Sequence, residues 1–132
     1  MYILSCESSF DAAHFLSNYD GKCHNIHGHR WRVEISISGE LNNGMVVDFN
    51  LIKKDLKSLC DYFDHSFIVE KNSLNNELLK MLEEEFLIRI VNFRTTAENF
   101  AKYFFDSLSE KYTVKEVKVY ETPTNCARYV CE

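Results

Sequence analysis

An α+β fold, with an antiparallel four-stranded sheet and helices packed on one of its faces, is the class this 132-residue chain predicts. Three observations carry the prediction. Apolar and polar residues alternate with period two near both ends of the chain. Apolar residues recur at helical spacing in the middle. The order is therefore two strands, then helices, then two strands, and strands clustered apart from helices give α+β rather than interleaved units. With a single Pro, four Gly and no linker or repeat, residues 1–132 read as one domain around one core.

Residues 2–14 form the first expected strand. Leu4, Cys6, Phe10 and Ala12 share a face whose register runs on to His14, opposite Ser5, Glu7, Ser9 and Asp11. Residues 16–26, with Asn18, Asp20, Gly21 and Asn25, read as a loop. Residues 27–38 alternate most cleanly. His27, His29, Trp31, Val33, Ile35 and Ile37 take one face, and Arg30, Arg32, Glu34, Ser36 and Ser38 the other. Asn42-Asn43-Gly44 then predicts a turn into a short strand at 45–47.

The stripe Ile52, Leu56, Leu59, Phe63 predicts a helix over about 50–62, capped by Asp48 or Asn50 and ending before Asp64-His65. A short helix around 75–85 and a strand at 87–92 follow. The second main helix runs over about 96–110, with Thr95-Thr96-Ala97-Glu98 as a capping-box start. Residues 114–121 and 126–131 close the chain as a hairpin, with Val117, Val119 and Glu121 on one face.

Composition narrows the function. A 45% hydrophobic, 14% aromatic chain has too much apolar surface for disorder. A net charge of −5 argues against nucleic acid as the main partner, and no apolar run approaches membrane-spanning length. The first residues have neither the basic start nor the apolar stretch of a signal peptide. Five cysteines without a C-x-x-C pattern read as reduced thiols, so the expected location is the cytoplasm.

The chemistry concentrates in His14, Cys23, His27 and His29. Two histidines one residue apart on a strand point to the same side, and His14 ends another strand in its own apolar register. If the strands pair, three imidazoles converge. Three nitrogen ligands leave a fourth zinc position open, the arrangement of catalytic sites. Unrelated core histidines are the plainer alternative, and His24 reads as a bystander. Cys23 reads either as a small buried hydrophobe, as an activated thiol in a polar loop, or as the fourth ligand of a purely structural zinc. Asp64-His65 is either a favourable helix C-terminus or a carboxylate–imidazole pair suited to proton transfer. Glu98 is accounted for by the capping box. Glu121 is not: a carboxylate on an inner strand face needs a partner, and it can grip a planar donor–donor edge with two hydrogen bonds.

In this order, Phe10-Asp11-Ala12-Ala13-His14, Cys23-x3-His27-Gly28-His29, Asp48-Phe49, Asp64-His65, Thr96-Ala97-Glu98 and Val119-Tyr120-Glu121-Thr122 resemble the 6-pyruvoyl-tetrahydropterin synthase superfamily over nearly the whole chain. The gap between Cys23 and His27 resembles the bacterial 6-carboxy-5,6,7,8-tetrahydropterin synthase branch. The resemblance implies a tunnelling fold with two main helices, assembled as a homohexamer (a dimer of trimers) with active sites between subunits. It implies a lyase that converts 7,8-dihydroneopterin triphosphate into 6-carboxytetrahydropterin, acetaldehyde and triphosphate in queuosine synthesis. It also implies Zn2+ on His14, His27 and His29, and Cys23 as the catalytic thiol. Asp64 and His65 match the proton relay, Glu121 the pterin anchor and relay, and Thr96 and Glu98 the pterin pocket. One departure stands out: where the family often has Asn-Pro-Thr, this chain has Arg94-Thr95-Thr96.

Overall fold

The long alternating segments become the two longest strands, β1 (Tyr2–His14) and β2 (His27–Gly39), in a computed structural model that describes all residues from Met1 to Glu132. They pair antiparallel over their whole length, with Phe10 opposite Trp31, Ala12 opposite His29 and His14 opposite His27. The pairing is fixed by burial. A slip of one residue would turn Phe10, Trp31, Val33 and Ile35 into solvent.

Helix α1 (Phe49–Phe63) buries Ile52, Leu56, Cys60 and Phe63, and Asp48 caps it by accepting the Asn50 N–H. Strand β3 (Ser66–Glu70), helix α2 (Asn76–Glu85) and strand β4 (Ile88–Val91) follow. Helix α3 (Ala97–Ser109) then leads into strands β5 (Val114–Thr122) and β6 (Asn125–Val130). The sheet order is β4-β3-β1-β2-β5-β6. Helices α1 and α3 cover one face of the sheet and enclose a core of 20 buried residues around Phe10, Trp31, Phe63, Phe100 and Phe104. The opposite face is polar, with Arg30 paired to Asp11 and Arg32 to Glu7 across neighbouring strands. No helix is long and apolar enough to cross a membrane.

Three expectations are corrected. The sheet has six strands rather than four, because β3 joins β1 in parallel and carries β4 beside it, also in parallel. β3 escapes a period-two reading since Ser66, Ile68 and Val69 are all buried, as in strands covered on both faces. The strand at 45–47 reduces to a single bridge between Asn42 and Met45. Asn43 and Gly44, both at positive φ, turn the chain sharply, and Asp48 must already be extended to cap α1, which leaves no length to pair. The cap of α3 is Thr96, which accepts the Asn99 N–H, so Asn99 and not Glu98 holds the third helical position. Thr95 is freed for another role. As expected, two main helices pack on the sheet: α2 buries none of its residues, and only α1 and α3 cover the core.

Candidate metal centre and active site

The end of the β1–β2 pair sets the site. Register places His14 and His27 directly opposite one another, and alternation puts His29 on the same side. Their ring centroids lie 4.6 Å (His14–His27), 4.8 Å (His27–His29) and 5.4 Å (His14–His29) apart. His14 is fully buried and packs edge-on against Trp31. Glu121 reaches the same spot from β5. Its Oε1 is 3.3 Å from His14 Nε2 and 3.4 Å from His29 Nε2. The β5–β6 register slips between Tyr120 and Thr122, so Glu121 sits in a bulge, a device that re-aims a side chain.

The far side of the rings shows which nitrogen is available. His14 Nδ1 lies 2.9 Å from the Thr95 carbonyl and 3.1 Å from the Thr95 hydroxyl, which itself donates to the Phe15 carbonyl. His27 Nδ1 donates to the Asn25 carbonyl at 2.7 Å. Carbonyls only accept, so Nδ1 carries the hydrogen and Nε2 presents its lone pair. The Nε2 atoms of His14, His27 and His29 are all buried without a hydrogen-bond partner. Leaving three such atoms orphaned is costly unless something they ligate offsets it. His14, His27, His29 and Glu121, with ligand atoms all within 4.8 Å of one another, can hold a metal ion. Neutral imidazoles with carbonyl partners behind them are the usual ligands of zinc and its neighbours. Cys23 does not belong to this group, and the fourth donor is a carboxylate instead.

Charge follows the same geometry. Burial holds the His29 imidazole below its usual value, partly countered by Glu121.

Of the other expected residues, His65 and Glu98 share clefts with members of this centre. Cys23 is half-buried on a one-turn 3₁₀ segment (Lys22–His24), and its carbonyl accepts the Leu16 N–H. By contrast, burial pushes the Cys60 thiol up to about 12, which leaves that cysteine inert. Asp64 caps the C-terminus of α1 and His65 takes a positive φ of 58°. His65 Nδ1 donates to Asp64 at 2.7 Å, while the other Asp64 oxygen accepts the Asp11 N–H. That backbone hydrogen bond first, and His65 after it, hold the Asp64 carboxyl below its ordinary value. His65 and His29 line one cleft of about 390 Å³. Glu98 is exposed and shares a second cleft, also about 390 Å³, with Glu121 and Cys126. Thr96 serves α3 as its cap. A cleft of about 540 Å³ runs from His29 and Glu121 past Arg30, Arg32 and Tyr120. Thr95, whose contact with His14 holds a ring of the cluster, is the residue that sequence reasoning missed. Its signal was the Arg94-Thr95-Thr96 departure itself.

A family model described as 6-pyruvoyl tetrahydropterin synthase matches residues 3–132. The chain is 35% identical to a Haemophilus influenzae protein named 6-carboxy-5,6,7,8-tetrahydropterin synthase, over 98% of this chain and 99% of that one. It is 37% identical to a protein of that name from Aquifex aeolicus, covering 82% of this chain and 75% of the relative. Among solved structures, 6-pyruvoyl tetrahydropterin synthase from Caenorhabditis elegans superposes with a TM-score of 0.70 at 28% identity, over 100% of this chain and 98% of the other. An uncharacterised Wolinella succinogenes protein shares the fold at a TM-score of 0.83 and 20% identity, over 99% and 98% of the two chains.

Proposed function

This chain belongs to the 6-pyruvoyl tetrahydropterin synthase family, and from that premise we propose that it is a zinc-dependent 6-carboxy-5,6,7,8-tetrahydropterin synthase. The reaction is the carbon–carbon lyase conversion of 7,8-dihydroneopterin triphosphate and water into 6-carboxytetrahydropterin, acetaldehyde and triphosphate, a step towards queuosine. The observation that carries the reading is the convergence of three buried, unpartnered Nε2 atoms at the end of β1 and β2, in a chain that matches named synthases along nearly its full length.

The residues divide the work. His14, His27 and His29 hold the zinc, which supplies Lewis-acid stabilisation of charge that develops on the substrate side chain. Cys23 accepts and returns a proton at a side-chain carbon. The Asp64–His65 pair moves a further proton, with Asp64 fixing the tautomer of His65 through its 2.7 Å contact. Glu121 anchors the pterin ring, Glu98 lines the cleft beside it, and Thr96 supports the ring pocket from the cap of α3. With a side-chain exposure of 80%, His65 faces outward, which suits a relay that completes the site of a neighbouring subunit. Free edges on β4 and β6 suit the same assembly, a homohexamer built as a dimer of trimers.

The test is product analysis. Purified protein with zinc and 7,8-dihydroneopterin triphosphate is expected to release acetaldehyde in step with triphosphate. A 6-pyruvoyl product without acetaldehyde would move the chain to the pyruvoyl-forming branch. Metal binding without turnover would leave only a binding module.

A further inference from the structure

The histidine cluster has a fourth donor that a three-nitrogen site does not require. Glu121 Oε1 stands 3.3 Å from His14 Nε2 and 3.4 Å from His29 Nε2. A carboxylate paired with a protonated imidazole would close to about 2.7–2.9 Å. These contacts are longer, and both nitrogens remain without a hydrogen-bond partner. They match a different geometry. Donors at the corners of a tetrahedron are separated by about 1.6 times the metal–ligand distance, so zinc–nitrogen and zinc–oxygen bonds of about 2.0–2.2 Å demand edges of about 3.3–3.6 Å. Glu121 Oε1 meets that spacing to the nitrogens of His14 and His29, while His27 completes the group within its 4.8 Å span and would close in on binding the ion. The β5 bulge is what brings it there, since Glu121 falls where the β5–β6 register slips. Cys23, the other candidate for a fourth position, lies outside the group.

We propose that the Glu121 carboxylate is the fourth protein ligand of the metal centre while no substrate is bound, so that the resting site is closed. The consequence for turnover rests on the pterin reading above. The carboxylate that closes the metal site is the one assigned to grip the ring, so ring binding and metal ligation by Glu121 exclude one another. Arrival of the pterin would withdraw Glu121 and open the metal position only when substrate is present.

The test loads the full-length protein with cobalt(II), whose visible absorption reports coordination number and donor type, and measures zinc affinity by competition with a chromophoric chelator. Glu121→Ala and the isosteric Glu121→Gln are compared with the unaltered protein, and far-UV circular dichroism checks that each is folded. Both variants are expected to alter the cobalt spectrum and to weaken zinc binding about 10-fold or more, in the range that loss of a ligand's supporting partner already costs. Cobalt spectra superimposable on the unaltered protein in both variants, with zinc affinity within about twofold, would overturn the assignment. Adding neopterin to the unaltered cobalt protein separates the two readings. A shift towards the Glu121→Ala spectrum supports the exchange. If the variants alter the spectrum while neopterin leaves it unchanged, the ligand assignment stands and the pterin reading fails.

Discussion

The side of the site proposed to hold a metal and the side proposed to transfer protons are built in opposite ways. His14 and His27 are pinned by pairing along β1 and β2 and by carbonyls behind their rings, and His14 is fully buried against Trp31. Cys23 and His65 sit instead on a one-turn segment and at a helix end, and His65 is 80% exposed. The difference teaches that one chain can hold a candidate set of metal donors in place and leave the groups proposed to move protons accessible to a substrate. Pre-organisation suits ligands whose spacing must hold to tenths of an ångström, while a proton relay tightens only once its partner arrives.

The comparison breaks most visibly at the pinned side. His27→Ala is expected to weaken zinc binding by more than about 100-fold, since even an outer partner of a ligand costs about 10–100-fold. Metal analysis after dialysis checks it, and a variant that kept stoichiometric zinc would show that His27 is no ligand. Cys23→Ala should do the reverse. It should lower the rate of triphosphate release about 10²–10⁴-fold while zinc content stays unchanged. Loss of metal in that variant would move Cys23 to the pinned side.

Thr95→Val sharpens the comparison next. It keeps the side-chain shape and the carbonyl but removes the hydroxyl that faces His14 Nδ1 and donates to Phe15. Zinc affinity is expected to fall by about 10-fold, the low end of outer-partner effects, with recovery in Thr95→Ser. The smallest effect is on pH dependence. The Asp11 N–H and His65 hold Asp64 below its ordinary carboxyl value. Its contribution to stability is therefore full above about pH 4 and lost as the pH falls through the lower folded value. Thermal melts of Asp64→Asn should lie slightly below the unaltered protein at pH 7, by under about 1 kcal/mol given solvent screening, and the two should converge in strong acid. A difference that persisted there would remove ionisation as its cause.

The histidines were legible in the sequence because their signal is local. A period-two strand places His27 and His29 on one side whatever else the chain does, and the apolar register of Phe10 and Ala12 carries His14 to the same level. Cys23 and the Asp64-His65 pair were visible as residue types at marked places, a polar loop and a helix end. Glu121 stood out as a charge on an inner face, but its neighbours did not. Thr95 was hidden because the capping-box pattern offered it a nearer use, and that role went to Thr96.

By itself the sequence determined the two long strands, the two packing helices and the chemistry of the donors, since periodicity and side-chain type are properties of short segments. Only the tertiary structure decided the rest. It inserted β3 and β4 beside β1 through parallel pairings that leave no alternation to read. It brought the Thr95 carbonyl 81 positions along the chain to His14. It also turned Glu121 through a bulge to stand 3.3 Å from His14 Nε2. These contacts join residues far apart in the chain, and their distances are set by how strands and helices pack, which no local pattern records.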